Sequence, residues 1–314
     1  MKKTILAVTL AAGLTSFTGN AKGQTTTNTF GSGGNTFTLD FQTIGNVGNA
    51  ADTTGYGAVN YNYSIGTYVI SQNQLNAATA NGLLGVAGGA WSGDQPAANV
   101  SWLQAAAFVN WLNTSTGHQA AYNLTYSGGA YTMALWQSGD SGYDPSNPFR
   151  NSLALFVLPS ENEWYKAAYY NPSNSNYSLY PYGNSIPTAV ASGTNANTSV
   201  YNSVASMPAS VYQAGGLSAY GTMGQAGNVF QLMESAYSGS NTNPTDNRTF
   251  QGGFWGTTYP SLQSSANYSI APTSGMNLLS FRVAEVSAVP EPSAYILFGL
   301  GGLALVVAYR RRVM

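Results

Sequence analysis

The sequence predicts a single α+β domain with few short helices, irregular strands and long loops. Three observations carry that expectation. Three Ser-x-x-Gln/Glu capping boxes each open a helical pattern. Short apolar runs alternate with Gly, Asn and Ser clusters, the punctuation of strands and turns. No linker, charge run or internal repeat breaks the stretch from Asp40 to Glu285, and 314 residues at 44% hydrophobic and 13% aromatic are enough for a sizeable core.

In chain order, Met1-Lys2-Lys3, the apolar stretch Thr4 to Leu14 and the small residues Gly19-Asn20-Ala21 read as a secretory signal peptide over residues 1–21, cut by signal peptidase after Ala21, with Gly23 as the second choice. Residues 22–39, rich in Thr, Gly, Ser and Asn, read as a flexible lead-in or an edge strand, so the domain proper is placed at 40–286. The run Tyr63 to Ile70 reads as extended. Ser71 and Gln74 open a helix that ends at Asn81-Gly82. Ser101 and Gln104 open a second, with Ala105, Phe108, Val109 and Leu112 on one face. Ala121 to Tyr126 is a short strand-like run. Ser160 and Glu163 open the third helix, which stops before Pro172, and Phe281 to Val286 reads as the last strand.

Residues 287–314 have a different character. Pro290-Glu291-Pro292 leads into an apolar run, Ala294 to Tyr309, and then Arg310, Arg311 and Arg312. Sixteen residues at about 1.5 Å rise give roughly 24 Å, short for a hydrocarbon core but usable as a transmembrane segment with snorkelling arginines. The basic end is expected to stay cytoplasmic.

Composition excludes whole classes of chemistry. Only 7% of residues are charged. Within Gln24 to Val289 the bases are Arg150, Lys166, Arg248 and Arg282 against ten carboxylates, a net of −6, so nucleic acid is a poor partner. There is no cysteine, hence no disulfide, thiolate metal site or thiol nucleophile. The one histidine, His118, sits in a Thr-Gly-His-Gln loop and is read as a solvated turn residue. Glu161 and Glu163, two apart on a helix, do not face each other, and Glu163 is read as a cap. Glu234 with Asp246 is the other carboxylate pair to consider. Asp140 and Asp144 are read as turn formers. Arg282, inside an apolar strand, requires an acidic or carbonyl partner.

Taken in order, several segments are similar to the formylglycine-generating enzyme family, the sulfatase-modifying-factor domain. They are Tyr63–Ile70, Val100-Ser101-Trp102-Leu103-Gln104-Ala105 with Asn110-Trp111-Leu112, Leu158-Pro159-Ser160-Glu161-Asn162-Glu163-Trp164-Tyr165-Lys166, Tyr180-Pro181-Tyr182-Gly183-Asn184, Gly227-Asn228-Val229-Phe230, Gly252-Gly253-Phe254-Trp255 and Phe281-Arg282-Val283-Ala284. The resemblance implies a C-type lectin-like fold. The C-terminal Pro-Glu-Pro, short span and basic tail resemble the PEP-CTERM sorting signal of Gram-negative bacteria. That implies processing by an exosortase and an inner-membrane-anchored precursor that ends in the cell envelope or extracellular matrix.

The same resemblance marks what is missing. The family's enzymes hold copper on a cysteine pair just before the last strand, whereas the corresponding Gly253–Ser269 has no thiol, and hydroxyls cannot replace soft thiolates for Cu(I). The family's calcium motif appears as Ala226-Gly227-Asn228-Val229-Phe230-Gln231, with Gln in place of the acid, and Asn197 falls in its other calcium segment. This implies no cofactor beyond a weak calcium site on Asn197, Ala226, Gly227, Val229 and Gln231. Trp102, Trp111, Trp164 and Trp255 are expected in the core before any role as sugar platforms. The Gly-Asn and Gly-Gly pairs are expected at positive φ. For ligand binding the candidates are Trp255, Tyr259, Tyr268, Asn228 and Glu234, with no catalytic residue assigned. The expected function is a non-catalytic exported module that contacts exopolysaccharide or another surface glycan. The alternatives are an enzyme with a different, non-thiol site and a self-associating matrix protein.

Overall fold

The computed structural model describes residues 24–286. Strands β1 (Thr25–Phe30) and β2 (Phe37–Ile44) form an antiparallel hairpin, Thr25 opposite Gln42 and Phe30 opposite Phe37. Of the two readings of the lead-in, the edge strand is the one observed: β1 is the edge of its sheet, and the folded unit reaches back before residue 40. Two contacts hold it. Phe30 packs on Phe37 and Phe156 with ring centroids 5.6 and 5.3 Å apart, and Asn28 Nδ2 donates to Glu285 Oε2 at 3.0 Å.

Strand β3 (Tyr63–Gly66) pairs with β2, shorter than the run to Ile70 because the chain leaves the sheet after Gly66. Helices α1 (Gln72–Ala80) and α2 (Trp102–Ser115) open at Ser71 and Ser101, each with both reciprocal bonds of its capping box. Between α2 and the third helix lie the hairpin β4 (Asn123–Ser127) with β5 (Ala130–Ala134) and the short β6 (Phe156–Val157). Helix α3 (Glu161–Tyr169) opens at Ser160 with the third capping box, Glu163 closing it as expected. A long loop region follows, pinned by the two-residue pairs β7 (Tyr170–Asn171) with β8 (Asn176–Tyr177) and β9 (Thr188–Ala189) with β10 (Thr198–Ser199).

The second half builds a four-stranded sheet from β11 (Phe230–Ala236), β12 (Arg248–Gln251), β13 (Tyr268–Ile270) and β14 (Leu279–Phe281), in the order β13-β12-β11-β14. Strand β15 (Ala284–Val286) then returns to the first sheet, between β3 and β6, giving the order β1-β2-β3-β15-β6. The expected single strand Phe281–Val286 is thus two strands in two sheets. Arg282 and Val283 are the crossing point.

The two sheets share one core. Phe108 of α2 meets Phe281 of β14 at 5.4 Å and Phe37 of β2 at 6.4 Å, so one helix touches both. The face predicted for α2 is buried, but Trp102, Ala106 and Ala107 are buried too, which makes α2 an interior helix more than an amphipathic one. Burying a side chain such as Phe108 stabilises the fold by roughly 1.5–3 kcal/mol. Among the described residues no helix is long and apolar enough to cross a membrane. The expected signal peptide, 1–21, and the expected transmembrane segment, 294–309, lie outside the described residues.

Candidate functional site

Most of the segment Gly253–Ser269 is closed by packing. Gly252 and Gly253, at φ 101° and 76°, turn the chain out of β12. Thr257 Oγ1 then accepts from Phe254 N at 3.1 Å and donates to Phe254 O at 2.8 Å, so this hydroxyl closes a turn. Leu262 is fully buried. Tyr268 stacks on Phe250 at 5.5 Å, meets Phe230 edge-on at 5.1 Å and donates its hydroxyl to Ser261 Oγ at 3.1 Å. Trp255 is part-buried, edge-on to Phe254 at 5.0 Å and to Trp91 at 5.1 Å. Of the aromatic candidates only Tyr259 is open, 44% exposed.

Two further candidates lie in the interior. Asn228 is buried and left-handed (φ 64°), with Oδ1 accepting from Ala209 N at 2.8 Å and Nδ2 donating to Ala209 O at 3.3 Å. It fastens a loop, and no face remains for a ligand. Its neighbour Gly227 (φ 75°) bears out the reason for a Gly-Asn pair: a Cβ there would strike the Val200 carbonyl. Glu234, on β11, is fully buried and accepts from Tyr122 Oη at 2.8 Å, Asn147 Nδ2 at 2.7 Å and Arg150 Nε at 2.7 Å. Its carboxylate belongs to a structural network.

Arg150 is the centre of that network, and nothing in its Pro-Phe-Arg-Asn surroundings announces it. The guanidinium grips Glu163 with two bonds of 3.0 Å, binds Leu158 O at 3.0 Å and joins Glu163 to Glu234. Tyr61 Oη adds a 2.6 Å bond to Glu163. Burial alone would raise the Glu163 pKa, but Arg150, Tyr61 and the Ser160 amide bring it down to about 2. Glu161 turns the other way, accepting from Gln251 Nε2 at 2.9 Å and Asn267 Nδ2 at 2.6 Å. Burial outweighs both amides and pushes its pKa up to about 7. Asp246 is hydrogen-bonded to Ser238 and Asn243, away from Glu234. Glu161 and Glu163 thus face different partners, as do Glu234 and Asp246.

All four bases of the described chain are internal. Arg248 lies 4.1 Å from the Phe149 centroid and 4.8 Å from that of Trp102. Lys166 is buried and donates to Asn46 O at 3.0 Å, and burial lowers its pKa to about 8. Arg282 finds the carbonyl partners its position demands. It donates to Gly66 O, to Thr67 O at 3.0 Å, to Met223 O at 2.7 Å and to Gln231 Oε1 at 2.7 Å.

Gln231, expected as a calcium ligand, is the partner in that last bond. Its Oε1 already accepts from Trp164 Nε1 at 2.8 Å as well as from Arg282, and its Nε2 donates to Gly224 O. A guanidinium stands at the oxygen a cation would need. Ala226 O accepts from Ser199 Oγ and from Tyr182 Oη. Gly227 donates its N–H to Gly252 O, and Val229 is packed in apolar surroundings. Asn197 alone of the set keeps a buried Oδ1 without a partner. Among the described residues no three His, Cys, Asp or Glu side chains gather as a metal group. Asp140 and Asp144 cap turns at Gln137 and Ser146, and His118 is exposed.

Residues 35–286 match the model of the sulfatase-modifying factor enzyme 1-like domain, and residues 288–312 match that of the PEP-CTERM protein-sorting motif. No curated protein matches the sequence. Among solved structures, Treponema denticola variable protein 1 is similar at 20% identity, covering 82% of this chain and 98% of that one with a TM-score of 0.56. PvdO from Pseudomonas aeruginosa is similar at 15% identity, over 83% and 98% of the two chains, at 0.53. CarF is similar at 21% identity, over 72% and 87%, at 0.50. At these identities the likeness is one of fold, and it agrees with the α+β, C-type lectin-like architecture the sequence implied.

Proposed function

The chain belongs to the sulfatase-modifying factor enzyme 1-like domain family, and from that premise we propose that it is a non-catalytic member, an interaction module of the envelope or exopolysaccharide matrix. The sorting motif implies processing by an exosortase and export to the envelope. One observation carries the non-catalytic reading. The segment where the family's thiol pair stands has no cysteine, and its interior is filled by Phe254, Leu262 and Tyr268 in contact with neighbouring side chains. Copper-dependent oxidation needs thiolates for Cu(I). A chain without them has no such centre.

The surface supports the second half of the proposal. With its bases internal, the domain presents amides, hydroxyls, tyrosines and a few carboxylates such as Asp94, groups that suit hydrogen bonding and stacking without a surface cation. Signal peptidase at the N-terminus and a surface glycan as ligand complete the proposed route and role. The test is oxygen uptake by the purified protein, loaded with copper, on a thiol peptide. No uptake above the peptide blank is expected, and turnover of the peptide would replace this reading with an enzymatic one.

A further inference from the structure

A groove of about 640 Å³ opens between the start of β2 and helix α1, away from Gly253–Ser269. Its volume falls in the range of roughly 300–1,000 Å³ usual for ligand clefts. Thr36 and Thr38 line one side, Asn73 and Asn76 the other, and two loops contribute Asp94 and Tyr212. The loops are tied together by the bond from Val211 N to Asp94 O at 2.8 Å, which sets the tyrosine beside the acid.

The polar groups here are oriented before any ligand arrives. Asn73 Nδ2 donates to Asp94 Oδ1 at 3.0 Å, an amide–carboxylate pair whose remaining oxygens are acceptors. Gln72 Nε2 donates to Asn76 Oδ1 at 2.8 Å, which leaves the Asn76 amide nitrogen as a donor. Tyr212 is 40% exposed, yet its ring is fixed by an edge-on contact with Tyr68 at 4.9 Å and 77°. Burial and the carboxylates of Asp94 and Asp40 push its phenol pKa up, so two acids act on this ring. No Lys or Arg lines the groove.

We propose that this groove binds a neutral polysaccharide, with Tyr212 stacking on a sugar ring and the Asn73–Asp94 pair and Asn76 reading its hydroxyls. The inference rests on the matrix-interaction reading above and gives it a site and a ligand class. An aromatic face for the apolar side of a pyranose, with acceptors and a donor beside it, matches the alternating C–H and O–H surface of a sugar. The sign of charge selects against the alternative. Uronate or sulfate groups would meet Asp94 with no cation in the groove to pair them.

The experiment is affinity electrophoresis of the full-length protein in detergent, through gels containing laminarin, mixed-linkage β-glucan, galactomannan or alginate. Retardation by at least one neutral glycan and none by alginate is expected. Tyr212→Ala should weaken binding roughly three- to tenfold, the share expected of an aromatic stacking contact, and Tyr212→Phe should retain most of it. Asn76→Ala, on an exposed helix position, gives a second reading should Tyr212→Ala misfold, and it too should weaken retention. Tyr237→Ala, 53% exposed on another part of the surface, should behave as wild type. Wild-type retention that neither Tyr212→Ala nor Asn76→Ala reduces would discard the groove and leave the matrix reading standing. Binding to alginate alone would overturn the ligand class, and no binding to any of the four would overturn both.

Discussion

Arg282 Nε donates to Gln231 Oε1 at 2.7 Å where neither side chain is exposed, and this bond joins the crossing point between the two sheets to β11. The same guanidinium reaches the carbonyls of Gly66 and Thr67 at the end of β3 and of Met223 in a loop. One side chain therefore satisfies three main-chain acceptors that the change of sheet leaves inside the protein. Burial pushes its pKa down to about 9, so it stays cationic at neutral pH.

Replacing this residue should be severe. Arg282→Met removes every donor while keeping apolar bulk, stranding buried carbonyls, and a loss of about 3–5 kcal/mol is expected from the cost of breaking a buried charged network. Arg282→Lys keeps the charge but cannot fork to four acceptors, so it should fall between wild type and Met. Urea unfolding followed by tryptophan fluorescence measures both. A Met variant within 1 kcal/mol of wild type would remove Arg282 from its joining role.

Metal response follows from the same bond. Because Arg282 and Trp164 already fill Gln231 Oε1, calcium has no ligand there, and titrating calcium should leave the melting temperature within replicate scatter. Metal analysis after dialysis against copper, iron, zinc and calcium should find less than stoichiometric binding of each. A calcium-dependent rise in melting temperature would point to Asn197, whose buried Oδ1 lacks a partner, as the seat of a cation.

Local signals explain what could be read from the sequence. The capping boxes at Ser71, Ser101 and Ser160 each involve residues three apart, so the spacing alone fixed three helix starts to the residue. The conflict inside Phe281–Val286, a charge in an apolar run, correctly signalled a special position, although not that the chain changes sheets there. The burial of Asn228 and Glu234 is not legible in the sequence, for the opposite reason. Their partners Ala209, Tyr122, Asn147 and Arg150 are 19 to 112 residues distant in sequence, and no periodicity encodes such pairings. The groove at Tyr212 was invisible for the same reason, since its walls come from four separate stretches of chain.

The helix starts give a direct test of that legibility. Ser101→Ala deletes the acceptor for Gln104 N and should cost about 1 kcal/mol, the usual loss for removing such a cap. Ser101→Thr should recover most of it. Equal stability of Ser101→Ala and wild type in urea would mean that packing of Trp102 and Phe108 alone holds α2.

Two glutamates on α3 should give the protein an acidic stability optimum. Glu163 titrates near 2 in the fold against an ordinary value of 4.5, so its contribution is complete above 4.5 and is lost as pH falls toward 2. Glu161 has the opposite sign. Its pKa of about 7 means that between 4.5 and 7 the folded protein holds a proton the unfolded chain releases, so stability declines as pH rises through that window. The two limbs meet, and the melting temperature measured from pH 3 to pH 7.5 should peak at about pH 4.5. Glu161→Gln should flatten the upper limb and leave the acid limb intact, because the amide carries no charge to desolvate. Arg150→Met should lower the whole profile by about 3–5 kcal/mol, as expected when two buried carboxylates lose their cation. It should also move the acid limb to higher pH, since Glu163 would no longer be held low. A melting temperature that climbs steadily from pH 4.5 to pH 7 in the wild type would show that the Glu161 carboxyl is not raised by burial against Gln251 and Asn267.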